Sequence, residues 1–415
     1  MARRAGKVAA VALAILAGAL ALAAASDAAT YTVTQTSDEA GPCDENCALR
    51  EAVMAANGTP EDDRIEVPAG TYTLSLSNPD SLLGCDGDAD WGDLDICRDG
   101  GALDLIGAGA KGTVVDAGGI DRVLQIYSDA DAPGPPVEIQ RLTLTGGRSS
   151  DEGGGLRVDR SRPTTVVRSV IRGNRTLGPL GNGPDGGGIS NASELTLRKV
   201  TVRGNSSGGG GDVGGIANDN TITIDASTIS GNVAQDDPGY DGDAGGLNNA
   251  GTATIVNSTF SGNRAGAANS SDGGAIYTDG DLEAMNLTIA FNSAESGGGI
   301  YSVDRPENSQ TFTTSILTRN AAQTGPNCGG TGLVSLGHNL VQVKRCGFGA
   351  GDIAGNARLE PLADNGGPTR THALGRGSQA IDATPKSTCP PVDQRGVHRP
   401  QGRRCDIGAY ERRVG

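Results

Sequence analysis

The segment GGIANDNTITIDASTISGN, at residues 214–232, contains the pattern that decides the fold. A glycine pair precedes Ile216, apolar residues recur 6, 8 and 13 positions after it, and Asn232 follows at position 16. Alternation of apolar and polar residues within short runs is typical of β-strands that bury one face. The segment therefore predicts three short strands separated by glycine and asparagine turns.

Copies of this unit recur along the chain. The apolar residue that follows the glycines is found at Leu156, Ile189, Ile216, Leu247, Ile276 and Ile300, and the asparagine at Asn174, Asn205, Asn232, Asn263, Asn292 and Asn320. One unit cannot bury its own apolar face, so neighbouring units must stack, at about 4.8 Å per coil. Because parallel crossovers are right-handed, the repeat predicts an all-β, right-handed parallel β-helix with three strands per coil over residues 65–327.

The recurring asparagines are predicted to form a structural ladder. Asparagine tolerates left-handed backbone and bonds nearby main chain at turns, and stacked coils would place one amide above the next. Contact with a ligand is the alternative role for these side chains.

Both ends of the repeat differ from its middle. The run CALREAVMAAN at 47–57 predicts a short helix that caps the β-helix core, within an N-terminal cap at 29–64. Residues 328–415 are predicted to form a C-terminal cap module. Its charged residues are expected to form buried ion pairs rather than a catalytic group; they are His372, Asp393, Arg395, His398 and Asp406.

The composition excludes several classes of protein. The chain of 415 residues has 66 glycines without a period of three, which excludes collagen. Its aromatic residues (Phe 4, Trp 1, Tyr 7) are few for one large globular core. The net charge of −15 argues against a nucleic-acid partner, because phosphate binding depends on basic patches.

The chain begins like an exported protein. Arg3, Arg4 and Lys7 precede a long apolar run that ends in small residues, so residues 1–25 are predicted to be a cleaved signal peptide; a membrane anchor is the alternative. No membrane span is expected after cleavage, and an extracellular or cell-surface location follows. The end at Gly415 shows no sorting motif, which favours free secretion or non-covalent attachment.

The eight cysteines fit an oxidising compartment, where disulfides are favoured over metal ligation. Eight cysteines allow 105 connectivities, but their clustering favours pairing of neighbours. The predicted pairs are Cys43 with Cys47, Cys85 with Cys97, Cys328 with Cys346, and Cys389 with Cys405.

Three groups of motifs resemble known families. CALREAV at 47–53 followed by IEVPAGTYTL at 65–74 resembles the N-terminal CSLREA-type domain of bacterial exported β-helix proteins, with Ala48 in place of the usual serine. The runs PLADNGGPTRTHAL (361–374), GSQAID (377–382), DQRGVHRP (393–400) and CDIGAYE (405–411) resemble the choice-of-anchor Q module. The central GGAIY and STFSGN phrases are similar to chlamydial polymorphic outer-membrane protein repeats, which implies surface adhesion.

Two tyrosines are candidate ligand-binding residues. Tyr277 and Tyr301 each follow the apolar landmark by one residue in successive coils, so they are expected to stack on the outer surface. They form either a platform for a sugar or a packed surface ladder.

Carboxylates precede the glycine pair in register, at Glu152, Asp185, Asp212, Asp243 and Asp272, and Glu295 lies one position earlier in its coil. Stacking would bring like charges to about 5 Å, at roughly 1 kcal/mol per pair in water. The side chains therefore either splay apart in solvated turns or bind Ca²⁺, which prefers oxygen ligands. A second acidic loop contains Asp86, Asp88 and Asp90, but Trp91 and Cys97 occupy the glycine and glutamate positions of an EF-hand. This loop is either solvated or a loose Ca²⁺ site, and Ca²⁺ is the one cofactor that the sequence suggests.

Two functions fit these features. The first is non-catalytic binding of an extracellular glycan or surface component. The alternative is a polysaccharide lyase or glycoside hydrolase that acts on acidic polysaccharide, because pectate lyases and polygalacturonases share the β-helix scaffold. The polygalacturonase phrases Asn-Thr-Asp, Gly-His-Gly and Arg-Ile-Lys are absent, with Gly337-His338-Asn339 the nearest. The sequence assigns no catalytic residue.

Overall fold

The computed structural model describes residues 28–77, 91–97, 100–128, 134–159, 163–178, 185–235, 244–266, 271–343 and 347–413. The predicted signal peptide lies outside these residues. So do Cys85, Asp86, Asp88, Asp90, Asp243 and Cys346.

Three parallel sheets run along the molecule, and each coil contributes one strand to each sheet in the order C, A, B. Sheet A has strands Ala29–Thr32, Asp63–Val67, Leu103–Gly107, Val137–Gln140, Thr164–Val167, Glu194–Arg198, Thr221–Asp225, Thr252–Val256, Asp281–Met285, Gln310–Thr313 and Leu333–Gly337. Sheet B has Gly70–Thr73, Thr113–Asp116, Thr143–Thr145, Val170–Arg172, Thr201–Arg203, Thr228–Ser230, Thr259–Ser261, Thr288–Ala290, Ile316–Thr318, Leu340–Val341 and Ile353–Ala354. Sheet C has Leu94–Cys97, Leu124–Tyr127, Leu156–Val158, Ile189–Asn191, Ile216–Asn218, Leu247–Asn249, Ile276–Thr278, Ile300–Ser302 and Cys328–Gly330. This architecture confirms the predicted parallel β-helix.

The core consists of columns of aliphatic side chains. Ile216 pairs in register with Ile189 on one side and Leu247 on the other, and Ile276 and Ile300 continue the column. All five are fully buried. Burial of a leucine or isoleucine side chain contributes about 1.5–3 kcal/mol, so the nearest-neighbour contacts of each coil hold the rod together.

Three further short elements lie outside these sheets. A four-stranded parallel sheet runs beside sheet C, with strands Arg148–Ser149, Arg175–Thr176, Ser206–Ser207 and Val233–Ala234. An antiparallel pair, Leu359–Ala363 with Thr371–Leu374, and a 3₁₀ turn, Lys386–Thr388, belong to the C-terminal segment.

The predicted N-terminal helix spans Leu49–Asn57 and buries Leu49, Ala52, Val53 and Ala56. Glu51 accepts the backbone N–H of Ala48 at 2.8 Å, which satisfies one unpaired donor at the start of the helix. The strand Ala29–Thr32 belongs to sheet A, and the strand Asp63–Val67 spans the predicted boundary between residues 64 and 65. The cap is therefore a helix inserted between the first two strands of sheet A.

Buried Arg50 joins this helix to Asp38 and to the backbone that leads into the first strand of sheet C. Fully buried Arg50 donates to Asp38 at 2.7 Å and to the carbonyl oxygens of Gly92 and Asp93 at 2.8 and 3.0 Å. Burial acts to raise the pKa of Asp38, but hydrogen bonds from Arg50 and from backbone N–H groups lower it overall. Sequence analysis missed this pair because nothing repeats its spacing.

The β-helix extends beyond the predicted boundary at residue 327, because the strands Leu333–Gly337, Leu340–Val341 and Ile353–Ala354 continue sheets A and B. The C-terminal segment that follows lies against the outer face of sheet B. Gln394, fully buried, donates to the Ser227 carbonyl at 3.0 Å and accepts from Thr259 at 2.6 Å. The segment thus covers the side of the rod.

The ionic groups of this segment are largely buried. Asp393 pairs with Arg395 at 2.6 Å, and Arg399 pairs with Glu411 at 3.1 Å. Buried His372 contacts the Ser261 hydroxyl at 2.9 Å and the Glu360 carbonyl at 2.7 Å, and burial lowers its pKa. The contact of His372 with Ser261 joins the segment to sheet B, whereas the two ion pairs join parts of the segment to one another.

Disulfides join Cys43 to Cys47 and Cys389 to Cys405. Cys97 and Cys328 are also disulfide-bonded, and their predicted partners lie outside the described residues. Disulfides persist in oxidising compartments, which agrees with a location outside the cytoplasm. Among the described residues, no helix has the length and apolar character needed to cross a bilayer.

Candidate functional site

The outer face of sheet C carries a single file of side chains. In its short strands the first and third residues point into the core, so the middle residue points outward. Parallel pairing in register places these middle residues in a line along the rod axis. We call this line the sheet C row; it consists of Asp95, Gln125, Arg157, Ser190, Ala217, Asn248, Tyr277 and Tyr301.

The two predicted tyrosines stack in this row. Their ring centroids are 5.9 Å apart and their planes are inclined by 3°. The ring of Tyr301 leans over Gly329, where a Cβ would lie 2.8 Å from the ring. The ring of Tyr277 is parallel to that of Tyr301, and it packs against a small apolar cluster of Val213, Ala217 and Ala244. Both rings are half-buried.

Acidic side chains flank one edge of the row. Asp159, Asp219 and Asp279 each follow a sheet C strand by one residue, in alternate coils. Burial raises the pKa of Asp219, and the negative charge of Asp279 adds to this effect. Asp279 in turn pairs with the exposed Arg305.

The predicted row of carboxylates lies along the opposite edge. Glu152 accepts a hydrogen bond from Ser190 at 3.1 Å, and Asp185 accepts the backbone N–H of Asp212 at 2.6 Å. Burial raises the pKa of Asp185 to about 6, with a further contribution from the charge of Glu152. The backbone hydrogen bond from Asp212 stabilises the Asp185 carboxylate against the charge of Glu152.

Asp272 lies beside the tyrosines on this edge. Its charge, followed by burial, raises the pKa of Tyr301. Among the described residues, no three His, Cys, Asp or Glu side chains form a group that could hold a metal ion. Asp212 and Asp272 are described, whereas Asp86, Asp88, Asp90 and Asp243 lie outside the described residues.

A cluster of charges occupies the N-terminal end of the row. Buried Arg122 pairs with Asp93 at 3.2 Å and Asp151 at 3.3 Å, and it donates to Gln125. Arg157 contacts both Asp151 and Asp159. The row thus contains an arginine that faces two carboxylates.

Asp95, the first residue of the row, lies in this cluster. Burial, together with the charge of Asp93, raises its pKa to about 9. Burial and the charge of Asp93 likewise raise the pKa of Asp121. Sequence analysis missed these residues because the early coils do not follow the repeat, although the alternation in LDIC and LQIY predicts which side chains point outward.

The recurring asparagines form a buried ladder away from this face. The Asn205 side-chain oxygen accepts from the side-chain amide of Asn174 at 3.1 Å, and Asn205 donates to Asn232 at 3.0 Å. The same contact joins the remaining members, Asn263, Asn292 and Asn320. All six are buried, so the ladder is part of the interior.

A second buried ladder lies two residues after the apolar landmark. Asn191 donates to Asn218 at 2.7 Å, Asn218 to Asn249 at 2.8 Å, and Asn249 to the Thr278 hydroxyl at 3.0 Å. Other copies have valine or serine at this position, Val158 and Ser302, which hides the ladder in the sequence.

A cavity of about 430 Å³ lies beyond the tyrosines, lined by residues 323–328 with Gln342 and Val343. It is near the C-terminal end of the sheet C row, since Cys328 belongs to the last strand of sheet C.

No protein-family model matches the chain, and no curated protein matches it at a significant level. The crystal structure of pectate lyase Pel9A is similar to it, with a TM-score of 0.49 and 15% sequence identity over 93% of this chain and 97% of that chain. At this level of identity the likeness concerns the backbone fold and assigns no activity.

Proposed function

We propose that this chain is a secreted or cell-surface protein that binds an extracellular glycan at the Tyr277 and Tyr301 end of the sheet C row. The observation that carries the proposal is the stacked pair Tyr277 and Tyr301, two half-buried aromatic rings in successive coils. Ligand sites combine such apolar surfaces with a few polar groups. The C–H face of a sugar ring packs on an aromatic ring, and its hydroxyls need hydrogen-bond partners.

The neighbours of the tyrosines meet that need. Asn248 precedes Tyr277 in the row, and Asp279 lies at its edge. An amide both donates and accepts, while a carboxylate accepts from two hydroxyls. The carboxylates on both edges repel uronates and sulfates, so the favoured ligand is a neutral or amino sugar.

The export features support the proposed location. The signal-like residues 1–25, the disulfides and the resemblance to CSLREA-type and choice-of-anchor Q domains are typical of exported β-helix proteins. The resemblance to chlamydial repeats adds support for adhesion to a surface.

A glycan array followed by titration calorimetry tests the binding proposal. We expect a neutral or amino-sugar oligosaccharide to bind, and the double substitution Tyr277→Ala with Tyr301→Ala to weaken binding by about tenfold or more, which corresponds to about 1.4 kcal/mol. The control is Phe291→Ala, which removes an exposed aromatic ring that follows sheet B. Equal affinity for the wild type and the tyrosine variant would reject the platform.

A second candidate function is cleavage of the bound glycan. It is favoured by Asp185, whose raised pKa of about 6 keeps part of it protonated beside Glu152, and by the contact of Arg157 with two carboxylates. Glycosidases use one protonated and one ionised carboxyl group. Release of reducing ends that is abolished in Asp185→Asn would support it. Binding without product would support the non-catalytic function.

A further inference from the structure

Seven cations of the described chain lie on one side of a protein whose net charge is −15. Three of them, Arg141, Arg168 and Lys199, occupy the turn from sheet A to sheet B in three successive coils, each with positive φ. Backbone hydrogen bonds join these turns, from Arg141 to the coil of Arg168 and from Arg168 to the coil of Lys199. The others are Arg172, Arg198, Arg203 and Arg370; we call all seven the basic strip.

The sheet B members of the strip lie directly side by side. Arg172 pairs in register with Arg203 on neighbouring parallel strands, which are about 4.8 Å apart. Burial lowers the pKa of Arg203, and the charges of Arg172 and Arg370 lower it further. The two arginines and Arg370 therefore share one patch of surface in which like charges repel.

The C-terminal segment borders this patch. The Arg370 carbonyl accepts a hydrogen bond from Thr228 at 2.6 Å, and Thr369 donates to the Ala226 carbonyl at 2.9 Å. The segment thus docks on the coil that follows Arg203, and the Arg203 side chain remains exposed. Arg172 and Arg203 lie on an accessible surface next to the C-terminal segment.

The cations of the basic strip have few negatively charged neighbours within the protein. Within the described chain, no carboxylate lies within ion-pair distance of a strip residue. Asp225 lies beside Arg198 in register on the neighbouring strand. Burial raises the pKa of Asp225, and the charges of Lys199 and Arg198 oppose this shift. A strongly acidic protein thus maintains a line of cations that form no ion pair with the carboxylates of the described residues, which favours an anionic partner.

We propose that the basic strip binds a linear anionic polysaccharide that runs parallel to the rod axis. A carboxylated or sulfated chain presents regularly spaced anions in one line, as the stacked coils present cations about every 4.8 Å. Binding releases counterions from the polymer, which supplies affinity that falls as salt rises.

The surroundings favour a narrow polymer over duplex DNA or a lipid surface. Glu138 and Glu194 point outward from sheet A beside the strip, and the C-terminal segment stands on the other side. A broad polyanion would bring its phosphates against these carboxylates. The site is distinct from the sheet C row, whose acidic edges repel the same polymer.

Equilibrium binding of the full chain to polygalacturonate and to dextran sulfate tests the proposal, with uncharged dextran as the reference. We expect both anionic polymers to bind and dextran not to bind. The affinity for the anionic polymers should fall steeply between 50 and 200 mM salt, by about 10³-fold where many ionic contacts form. The double substitution Arg172→Gln with Arg203→Gln is expected to lower affinity about tenfold and to reduce the salt slope by about 1.5. Its thermal unfolding checks that the fold is retained.

Arg403→Gln with Arg404→Gln is the matched control, because it removes two exposed arginines from the C-terminal segment. Equal losses of affinity in both variants would show that the effect depends only on net charge, and this would overturn the assignment. Tighter binding to duplex DNA or to vesicles containing an anionic lipid, with the same dependence on Arg172 and Arg203, would also overturn it. The tyrosine variant should lose binding of the neutral glycan and keep its binding of the anionic polymers. The two proposals are therefore tested separately.

Discussion

The side-chain oxygen of Asn263 accepts two hydrogen bonds from Asn232, one from its backbone N–H at 3.1 Å and one from its side-chain amide at 3.0 Å. Asn174, Asn205, Asn263 and Asn292 repeat this relation with the asparagine of the next coil. The contact therefore pairs buried polar groups that neither solvent nor the aliphatic columns can satisfy.

Truncation in the ladder should be strongly destabilising. Asn263→Ala leaves two buried donors of Asn232 without a partner, so we expect the free energy of unfolding to fall by about 3 kcal/mol. Urea denaturation measures the change. The control is Asn220→Ala, at an exposed position, which should change stability by about 0.5 kcal/mol or less. Equal effects at both positions would show that the ladder does not stabilise the coils.

The buried pair at the N-terminal cap gives a second test. Removing one partner of such a pair leaves a buried charge alone, so Arg50→Met is expected to lower stability by about 3–5 kcal/mol. Arg64→Ala breaks the exposed pair with Glu66 and should have an effect of about 1 kcal/mol or less. Denaturant unfolding compares them, and a small loss in Arg50→Met would contradict the role assigned to the pair.

The raised pKa of Asp185 predicts a pH-dependent effect. The folded chain holds this proton up to about pH 6, whereas the ordinary pKa is 3.8. The folded state binds more protons between these values, so the contribution of Asp185 to stability falls as pH rises from about 4 to 6 and stays low above that range.

Asp185→Asn removes this penalty and keeps an oxygen that accepts the Asp212 N–H. We expect the variant to be more stable than the wild type at neutral pH, and the difference to vanish near pH 4. Melting temperatures across this range measure it. A constant difference at all pH values would show that the carboxyl group is not destabilised by burial.

Gln394 is expected to hold the C-terminal segment on sheet B. It donates to the carbonyl of Ser227 and to the hydroxyl of Thr228, and it accepts from Thr259. Gln394→Ala should therefore speed protease cleavage within residues 356–413, because local opening exposes that backbone. The exposed Gln401→Ala is the matched control. Cleavage at the wild-type rate in both variants would mean that other contacts hold the segment.

The sequence predicted those features that repeat. The apolar column through Ile216 and the ladder through Asn232 recur at fixed spacing, because each coil has the same neighbours. The position of Tyr277 beside Tyr301 follows from the same register. These contacts depend only on how the coils stack, so the repeat pattern is sufficient to predict them.

The contacts that were missed are those that the repeat does not encode. Gln394 lies 135 residues from Thr259, and no periodicity links a C-terminal loop to the outer face of sheet B. The charged cluster around Arg122 and Asp95 forms in coils of irregular length. The basic strip joins a turn, a sheet face and the distant Arg370, so its members look like scattered charges in the sequence.

A crystal structure of the chain with the oligosaccharide that binds most tightly on the array tests the glycan-binding proposal most directly. The proposal predicts a sugar ring packed on Tyr277 and Tyr301, with its hydroxyls bonded to Asn248 or Asp279. A sugar in the cavity lined by residues 323–328, with the tyrosines uncovered, would contradict it.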